Sequence, residues 1–450
     1  MEGRAFYTKS LYFIFITQSI FYIGYKYNMA SVQEMVRPGE ALDLYYYSSE
    51  TSKKQAFATT QNTKYVQELS NKSGGSSVFL FPPQNGVQDI VVSMSFAAPG
   101  ANANLALPSG WAYGLVRSVS FRYAGTSQYL LTGDQLLQNA LRDQTNRSSC
   151  DDLVNIGGNY ASGTDLDNSQ TATIVLRLPH ASASGVNKML PFPSDCITQQ
   201  IQVILELNPV SSIWTNLGGA LPAACTTLSS AYFQVQQVMF NNMGDSLARR
   251  VDLSTKAYAF PVEFVQQKVA INLQNSTAPQ TVVLSGFRAG SVRSLQLWLT
   301  DNSDQQTSSS GSASGWNVNN WYVPSSVEML YAGDIYARYN NGTGQLFNLL
   351  NSNKAPCFDL ANVSVGAGAI NPPLPFLSQW LELPFAQALC DEDSHYILVH
   401  GKAITNGIIN LNNLVVPYVS VGAGAGWTLN ISYVYSATLL FSQGSCDYVF

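Results

Sequence analysis

Chemistry in this 450-residue sequence could sit in four places: a Gly-Asp-Ser-Leu stretch, three histidines, one acidic run, and a glycine-rich heptad that occurs twice. The stretch GDSL at 244–247 follows the strand-like YFQVQQVMF, which makes Ser246 a candidate esterase nucleophile. Such a serine needs a downstream histidine as base and an aspartate three residues before it to orient the ring. Asp391 and Asp393 stand four and two residues before His395, and no other histidine follows an aspartate at the required spacing. His395 and His400 lie five apart in the strand-like HYILVH, so they face opposite sides of a sheet and cannot share a metal. His180, after Pro179, reads as a loop residue. The run DLDNSQ from Asp165 imitates the start of a calcium loop, but Gln170 stands where glycine is needed and Leu176 where glutamate is needed.

The heptad VSVGAGA occupies 363–369 and returns at 419–425. A phosphate-holding loop places its glycines between a strand and a helix N-terminus, whose dipole and free N–H groups bind the anion. The first copy runs into INPPLP, which cannot begin a regular helix, and the second into GWTLNISYVY, which alternates as a strand. Both copies are therefore expected to be strand ends passing into small-residue turns, where neighbouring strands or subunits come close. Cys150, Cys196, Cys225, Cys357, Cys390 and Cys446 form no Cys-x-x-Cys pair, which excludes a zinc knuckle and a dithiol redox motif. They are expected to be reduced thiols. No residue is assigned as catalytic, cofactor-binding or metal-binding, and no cofactor is expected.

The elements that would position these residues are strands. Charged residues make up 11% of the chain, hydrophobic ones 46% and aromatics 12%, so the surface is made polar by amides and hydroxyls. With a net charge of −5 and no long basic run, a basic arm for nucleic acid is absent. Apolar residues alternate in IVVSMSF (90–96), VSFRY (119–123), IQVILEL (201–207) and ISYVYSATL (431–439), the period of half-buried strands with one face in a core. Breakers such as FPPQNG, LPSG and NPPLP separate them, as in all-β sandwiches. Helical signal is confined to TGDQLLQNALRDQ after Leu131 and to GTGQLFNLLN around Phe347.

What precedes each helix is also alike. SVSFRYAG from Ser118 and SVEMLYAG from Ser326 share S-V-x-x-x-Y-A-G at a spacing of 208 residues, and Thr-Gly pairs follow at Thr132 and Thr343. Ordered matches at that spacing argue for two copies of one sandwich, meeting near NNMGDSLARRVDLST. The N-terminal LYFIFITQSIFYIGY, 11–25, is too short and too interrupted for a good membrane span, and no small-x-small cleavage site follows it. Residues 1–28 are expected to be an upstream extension or short membrane-facing anchor, and 29–75 an arm. Six Asn-x-Ser/Thr sequons, at Asn71, Asn146, Asn275, Asn341, Asn362 and Asn430, would suit a secreted protein, but chance also produces them in so Asn-rich a chain.

Taken together, LVRSVSFRYAG with GDQLL, MLPFPSDCITQQIQVILEL, SSVEMLYAGDIYARYNNGTGQLFNLLN and the closing GWTLNISYVYSATLLFSQG resemble the double jelly-roll major capsid proteins of tailless icosahedral DNA viruses. The compact length leans toward a polinton-like virus or virophage rather than a nucleocytoplasmic large DNA virus. The resemblance implies an all-β chain of two tandem eight-stranded jelly rolls, at 76–248 and 249–450, with short helices in inter-strand loops. It implies no enzymatic activity, and a homotrimer forming a pseudo-hexameric capsomer in the virion shell, assembled inside the host cell. Its implied partners are neighbouring capsomers, penton and minor or cement capsid proteins, and an internal membrane, without direct sequence-specific nucleic-acid binding. The long insertion at 300–324 would form tower or trimer contacts, with the Ser/Gly-rich Gln305 to Gly315 expected to be a disordered loop within it. A secreted carbohydrate-binding, lectin-like sandwich is the competing expectation, because exposed aromatics on sandwiches bind glycans and the chain holds 7 Trp and 24 Tyr.

Overall fold

The computed structural model describes residues 63–81, 86–123, 127–142, 147–176, 201–216, 220–238, 257–266, 268–274, 276, 278–285, 288, 290–301, 321–322, 326–331, 333–340, 381–385, 402–403, 407–412, 426–442 and 445–449. The first half contains β1 (Thr63–Glu68), β2 (Gly75–Phe81), β3 (Gly86–Phe96), β4 (Asn102–Leu107), β5 (Val116–Tyr123), β6 (Ser127–Leu131), β7 (Ala161–Gly163), β8 (Gln170–Leu176), β9 (Ile201–Leu207), β10 (Thr215–Asn216) and β11 (Ser230–Val238). Among the described residues three α-helices interrupt them: α1 (Trp111–Leu115), α2 (Gly133–Arg142) and α3 (Arg147–Ile156). The second half contains β12 (Ala257–Val265), β13 (Val269–Gln274), β14 (Gln280–Leu284), β15 (Ser291–Asp301), β16 (Trp321–Tyr322), β17 (Ser326–Tyr331), β18 (Asp334–Asn340), β19 (Leu381–Pro384), β20 (Lys402–Ala403), β21 (Gly407–Asn412), β22 (Gly426–Ser442) and β23 (Ser445–Val449).

The two halves repeat one topology. The first pairs its strands as β1-β11-β3-β8 and β2-β9-β5-β6. The second pairs them as β12-β22-β15 and β14-β21-β17-β18, with β16, β19 and β20 laid end to end along the other edge of β15. In the first half β11 lies between β1 and β3, and in the second the long β22 lies between β12 and β15. The sequence repeat falls on β5 and β17, which hold the same place in β2-β9-β5-β6 and β14-β21-β17-β18 and both end at the shared tyrosine, Tyr123 and Tyr331. Each then pairs with the strand that follows it, β6 or β18.

Alternation builds the cores. In β9 every second residue from Ile201 to Leu207 is buried. Phe79 of β2 stacks on Phe233 of β11 at 3.9 Å between centroids, tying the two sheets together, and Phe96 meets Trp111 and Trp214 at 5.0 Å each. In the second half Leu295, Leu297 and Leu299 lie beside Tyr433, Ile431 and Leu429 on one face of the large sheet. Val282, Leu284, Val327, Met329, Ile409 and Leu411 of the smaller sheet are buried in the same core. Each such side chain contributes on the order of 1.5–3 kcal/mol when fully buried.

Several expectations are corrected. Thr63–Glu68 falls within the span assigned to the arm, yet it pairs along its whole length with β11 as an edge strand of the first sandwich. The alternating Tyr65 and Val66 stretch is too short to stand out among polar neighbours. Helices α1 and α3 are additional to the one expected at 132–144; α1 is a single buried turn, launched by Gly110 at φ 68. Strand β22 was expected to bury one face, but from Trp427 to Tyr435 it is buried on both. The second expected helix, the sandwich junction at 241–256 and both VSVGAGA copies lie outside the described residues.

Candidate functional site

The described feature with the most specific chemistry is the seam where the first half meets the second. It begins at Thr132, the N-cap of α2. Thr132-Gly133-Asp134-Gln135 forms a capping box in which the backbone N–H and hydroxyl of Thr132 donate to Oε1 of Gln135 at 3.2 and 3.3 Å. Gly133 is required by close approach: a Cβ there would lie 1.8 Å from the carbonyl oxygen of Tyr113 and 2.6 Å from that of Val116. The helix can therefore sit directly on α1, and its first turn projects toward the second half.

Gln135 spans the seam. Its Oε1 caps its own helix, while Nε2 donates to Ser432 Oγ at 2.6 Å and to the Gln266 carbonyl at 2.7 Å. Ser432 Oγ in turn donates to the same carbonyl at 3.2 Å. Gln266 lies at the bend between β12 and β13, two strands that pair successively with one edge of β22. Beside it, Asp134 accepts from Lys268 Nζ at 2.5 Å, an ion pair only 13% and 22% exposed, and the same ammonium lies 5.7 Å from the Trp298 ring centroid. An acidic residue in a first helical turn also meets the positive end of the helix dipole.

The surface under α2 is the outward face of β15 and β22. Gln296 pairs with Ser432, Trp298 with Asn430 and Thr300 with Thr428. Asn430 Nδ2 donates to Thr300 Oγ1 at 3.0 Å, and Thr428 Oγ1 to Asn272 Oδ1 at 3.3 Å. A second contact is aromatic: Tyr129 of β6 meets Phe264 of β12 edge-on at 5.2 Å, and Phe264 meets Tyr448 of β23 at 5.0 Å. Behind the seam, in the core of the second half, Tyr433 donates its hydroxyl to the Ser285 carbonyl at 3.0 Å, and the Tyr435 hydroxyl accepts from the Arg288 N–H at 2.9 Å. Burial raises the pKa of both phenols.

The candidates drawn from sequence do not converge here. Ser246, His180, His395 and His400 lie outside the described residues. The acidic run from Asp165 is a 3-10 turn, Thr164–Asp167. There the Asp167 carboxylate accepts from the Ala101 N–H at 2.7 Å and Gln170 Nε2 donates to the carbonyls of Asp165 and Asn168 at 3.0 Å, so its polar atoms close a loop. Among the described residues no three His, Cys, Asp or Glu side chains gather as a metal site would require. A shallow cleft of about 430 Å³ between β13 and β14, from Ile271 to Gln274 and Gln280 to Val283, is lined by no charged residue. Cys225 is a buried free thiol whose pKa desolvation pushes up to about 12. The helix itself is expected from the sequence at 132–144; nothing there indicated that Gln135 faces a strand almost 300 residues away.

No protein-family model and no curated protein matches the chain. Solved structures do. The VP54 protein of PBCV-1, in the crystal structure fitted into a cryo-EM reconstruction of the virophage Sputnik, is similar with a TM-score of 0.59 over 88% of this chain and 99% of its own, at 11% identity. The quasi-atomic PBCV-1 virus capsid gives the same values. The structure of the Sputnik virophage by cryo-EM is similar with a TM-score of 0.52 over 88% of this chain and 90% of that one, also at 11% identity. The repeated sheet order and these likenesses give one conclusion: the chain has the double jelly-roll fold found in these virus capsids.

Proposed function

We propose that the chain is a major capsid protein whose trimers form pseudo-hexameric tiles of an icosahedral virion shell. The observation that carries this reading is the repetition of one sheet topology in two halves joined by a packed, hydrogen-bonded seam. Two similar sandwiches at a fixed angle give three copies six near-equivalent edges, which is what a flat tile in a closed shell needs. The first jelly roll then runs from β1 to β11 and the second from β12 to β23, and the arm ends before Thr63. In this role the chain acts without catalysis or cofactor. It works with neighbouring capsomers, with penton and minor or cement proteins, and with an internal membrane. It does not read nucleic-acid sequence directly.

Among the residues whose burial is described, the tryptophans lend the lectin-like alternative no support: Trp111, Trp214, Trp298 and Trp427 are fully buried. Light scattering on the purified protein tests the proposal, with an expected mass three times that of the 48.9 kDa chain and pseudo-hexagonal particles in electron micrographs. A monomer retained on a glycan column would overturn it.

A further inference from the structure

Two glutamines in the seam are buried with nothing to bond. Gln138 of α2 and Gln296 of β15 are each 0% exposed, and among the described residues neither the amide nitrogen nor the amide oxygen of either has a hydrogen-bond partner. Their positions place both in the joint. Gln138 follows Asp134 by four residues and Gln135 by three, so on the helix surface it lies between them, one turn further on. Asp134 reaches Lys268 and Gln135 reaches Ser432, which makes that face the one turned to the second half. Gln296 stands opposite Ser432 in the register of β15 and β22, on the outward face it shares with Trp298.

The seam is therefore uneven along its length. At the first turn of α2 the polar groups are matched: Gln135 spends both N–H groups on Ser432 and the Gln266 carbonyl, and the Asp134–Lys268 pair closes beside them. At the second turn two carboxamides, each with two N–H donors and an oxygen able to accept twice, are unmatched. Their enclosure leaves water no access to any of the four atoms. A buried amide without a partner gives up its hydration and gains nothing in return, so closure of this end works against the joint. An apolar pair of the same size would seal the seam without that penalty.

We infer that the seam is hinged: it stays bonded at Asp134 and Gln135 and opens at Gln138 and Gln296, where water then reaches both amides. Helix α2 moves with the first half, because Gly133 fits it against the carbonyls of Tyr113 and Val116. The movement is thus a rocking of one jelly roll against the other, without unwinding of the helix. It uncovers the outward face of β15 around Gln296, while the inward face, with Leu295 and Leu297, stays in the core. The bonded end keeps the halves in one seating, to which the open end returns. The device belongs to a single chain and does not depend on assembly.

Thiol labelling tests this. Gln296→Cys and Leu297→Cys place a thiol on opposite faces of one strand, and peptide mapping after the folded protein meets a maleimide reads each position apart from the six native cysteines. Position 296 is expected to be labelled at least about a hundredfold faster than position 297, at a rate that low urea leaves unchanged, as for an opening short of unfolding. Equal rates at the two positions, or a rate at 296 that climbs with urea as global unfolding does, would overturn the inference. Gln138→Leu combined with Gln296→Leu is a second measure that needs no new cysteine. The closed seam then buries neither amide, so the melting temperature should rise above that of the wild type. A melting temperature at or below the wild-type value would show that these amides support the closed seam, and would overturn the inference equally.

Discussion

Gln135 concentrates four hydrogen bonds in one side chain, two of them crossing between halves. Replacing it with leucine removes the helix cap and leaves Ser432 and the Gln266 carbonyl without that donor. At about 1 kcal/mol per neutral bond and about 1 for the cap, Gln135→Leu should lower unfolding free energy by roughly 2–4 kcal/mol in urea denaturation. A loss below about 1 kcal/mol would mean that the seam contributes little. The two buried tyrosines set an alkaline limit. A folded-state phenol pKa raised above its ordinary value of about 10 leaves stability intact below that pH, and stability falls as the pH rises past it, because only the unfolded chain readily gives up the proton. Tyr433→Phe should therefore cost about 1 kcal/mol at neutral pH through the lost bond to Ser285 and flatten the decline above pH 10. An unchanged slope would reject Tyr433 as its source. The sequons divide in the same way: Asn71 is exposed, whereas Asn430 is 1% exposed and bonded to Thr300. Peptide mapping of the folded protein from a glycosylating host should find sugar at Asn71 and none at Asn430.

Among the elements, α2 is the one whose position decides how the halves meet. Gly133→Ala would ordinarily favour a helix by about 1 kcal/mol. Here the new methyl group meets two backbone carbonyls, so a net loss of about 1–3 kcal/mol is expected from overpacking and should appear as a lowered melting temperature. A gain in stability would show that α1 yields easily. Much of this level was legible in sequence. The strands around Ile90, Phe121, Ile201 and Ile431 follow from period-two alternation, and α2 follows from its cap and the face made by Leu136, Leu137 and Leu141. What was not legible depends on contacts made elsewhere. In β1, Val66 and its neighbours gain their identity as a strand from β11. In β22, Thr428, Asn430 and Ser432 read as solvent-facing because alternation records polarity, and these hydroxyls and amides are buried with hydrogen bonds in place of water.

For the whole molecule, the seam should make the halves unfold together. Calorimetry is expected to give one transition, and Gln135→Leu combined with Phe264→Ala should split it in two by removing both the polar and the aromatic contact. Two transitions in the wild type would show that the seam does not couple them. The duplicated topology was readable from S-V-x-x-x-Y-A-G and the Thr-Gly pairs that follow it, whereas the seam was not, because the repeat carries no record of how one copy packs on the other. One further consequence follows from β22. This 17-residue strand pairs with β12 and β13 along one edge and with β15 and β23 along the other. Four strands are thus held by a segment that the ribosome delivers after all of them but one. The first half can close once Val238 has emerged, but the second must wait, its leucines uncovered, until Ser442 is free. During that interval the growing chain is a finished sandwich trailing an unfinished one, and chaperone demand should peak over the synthesis of residues 257–442.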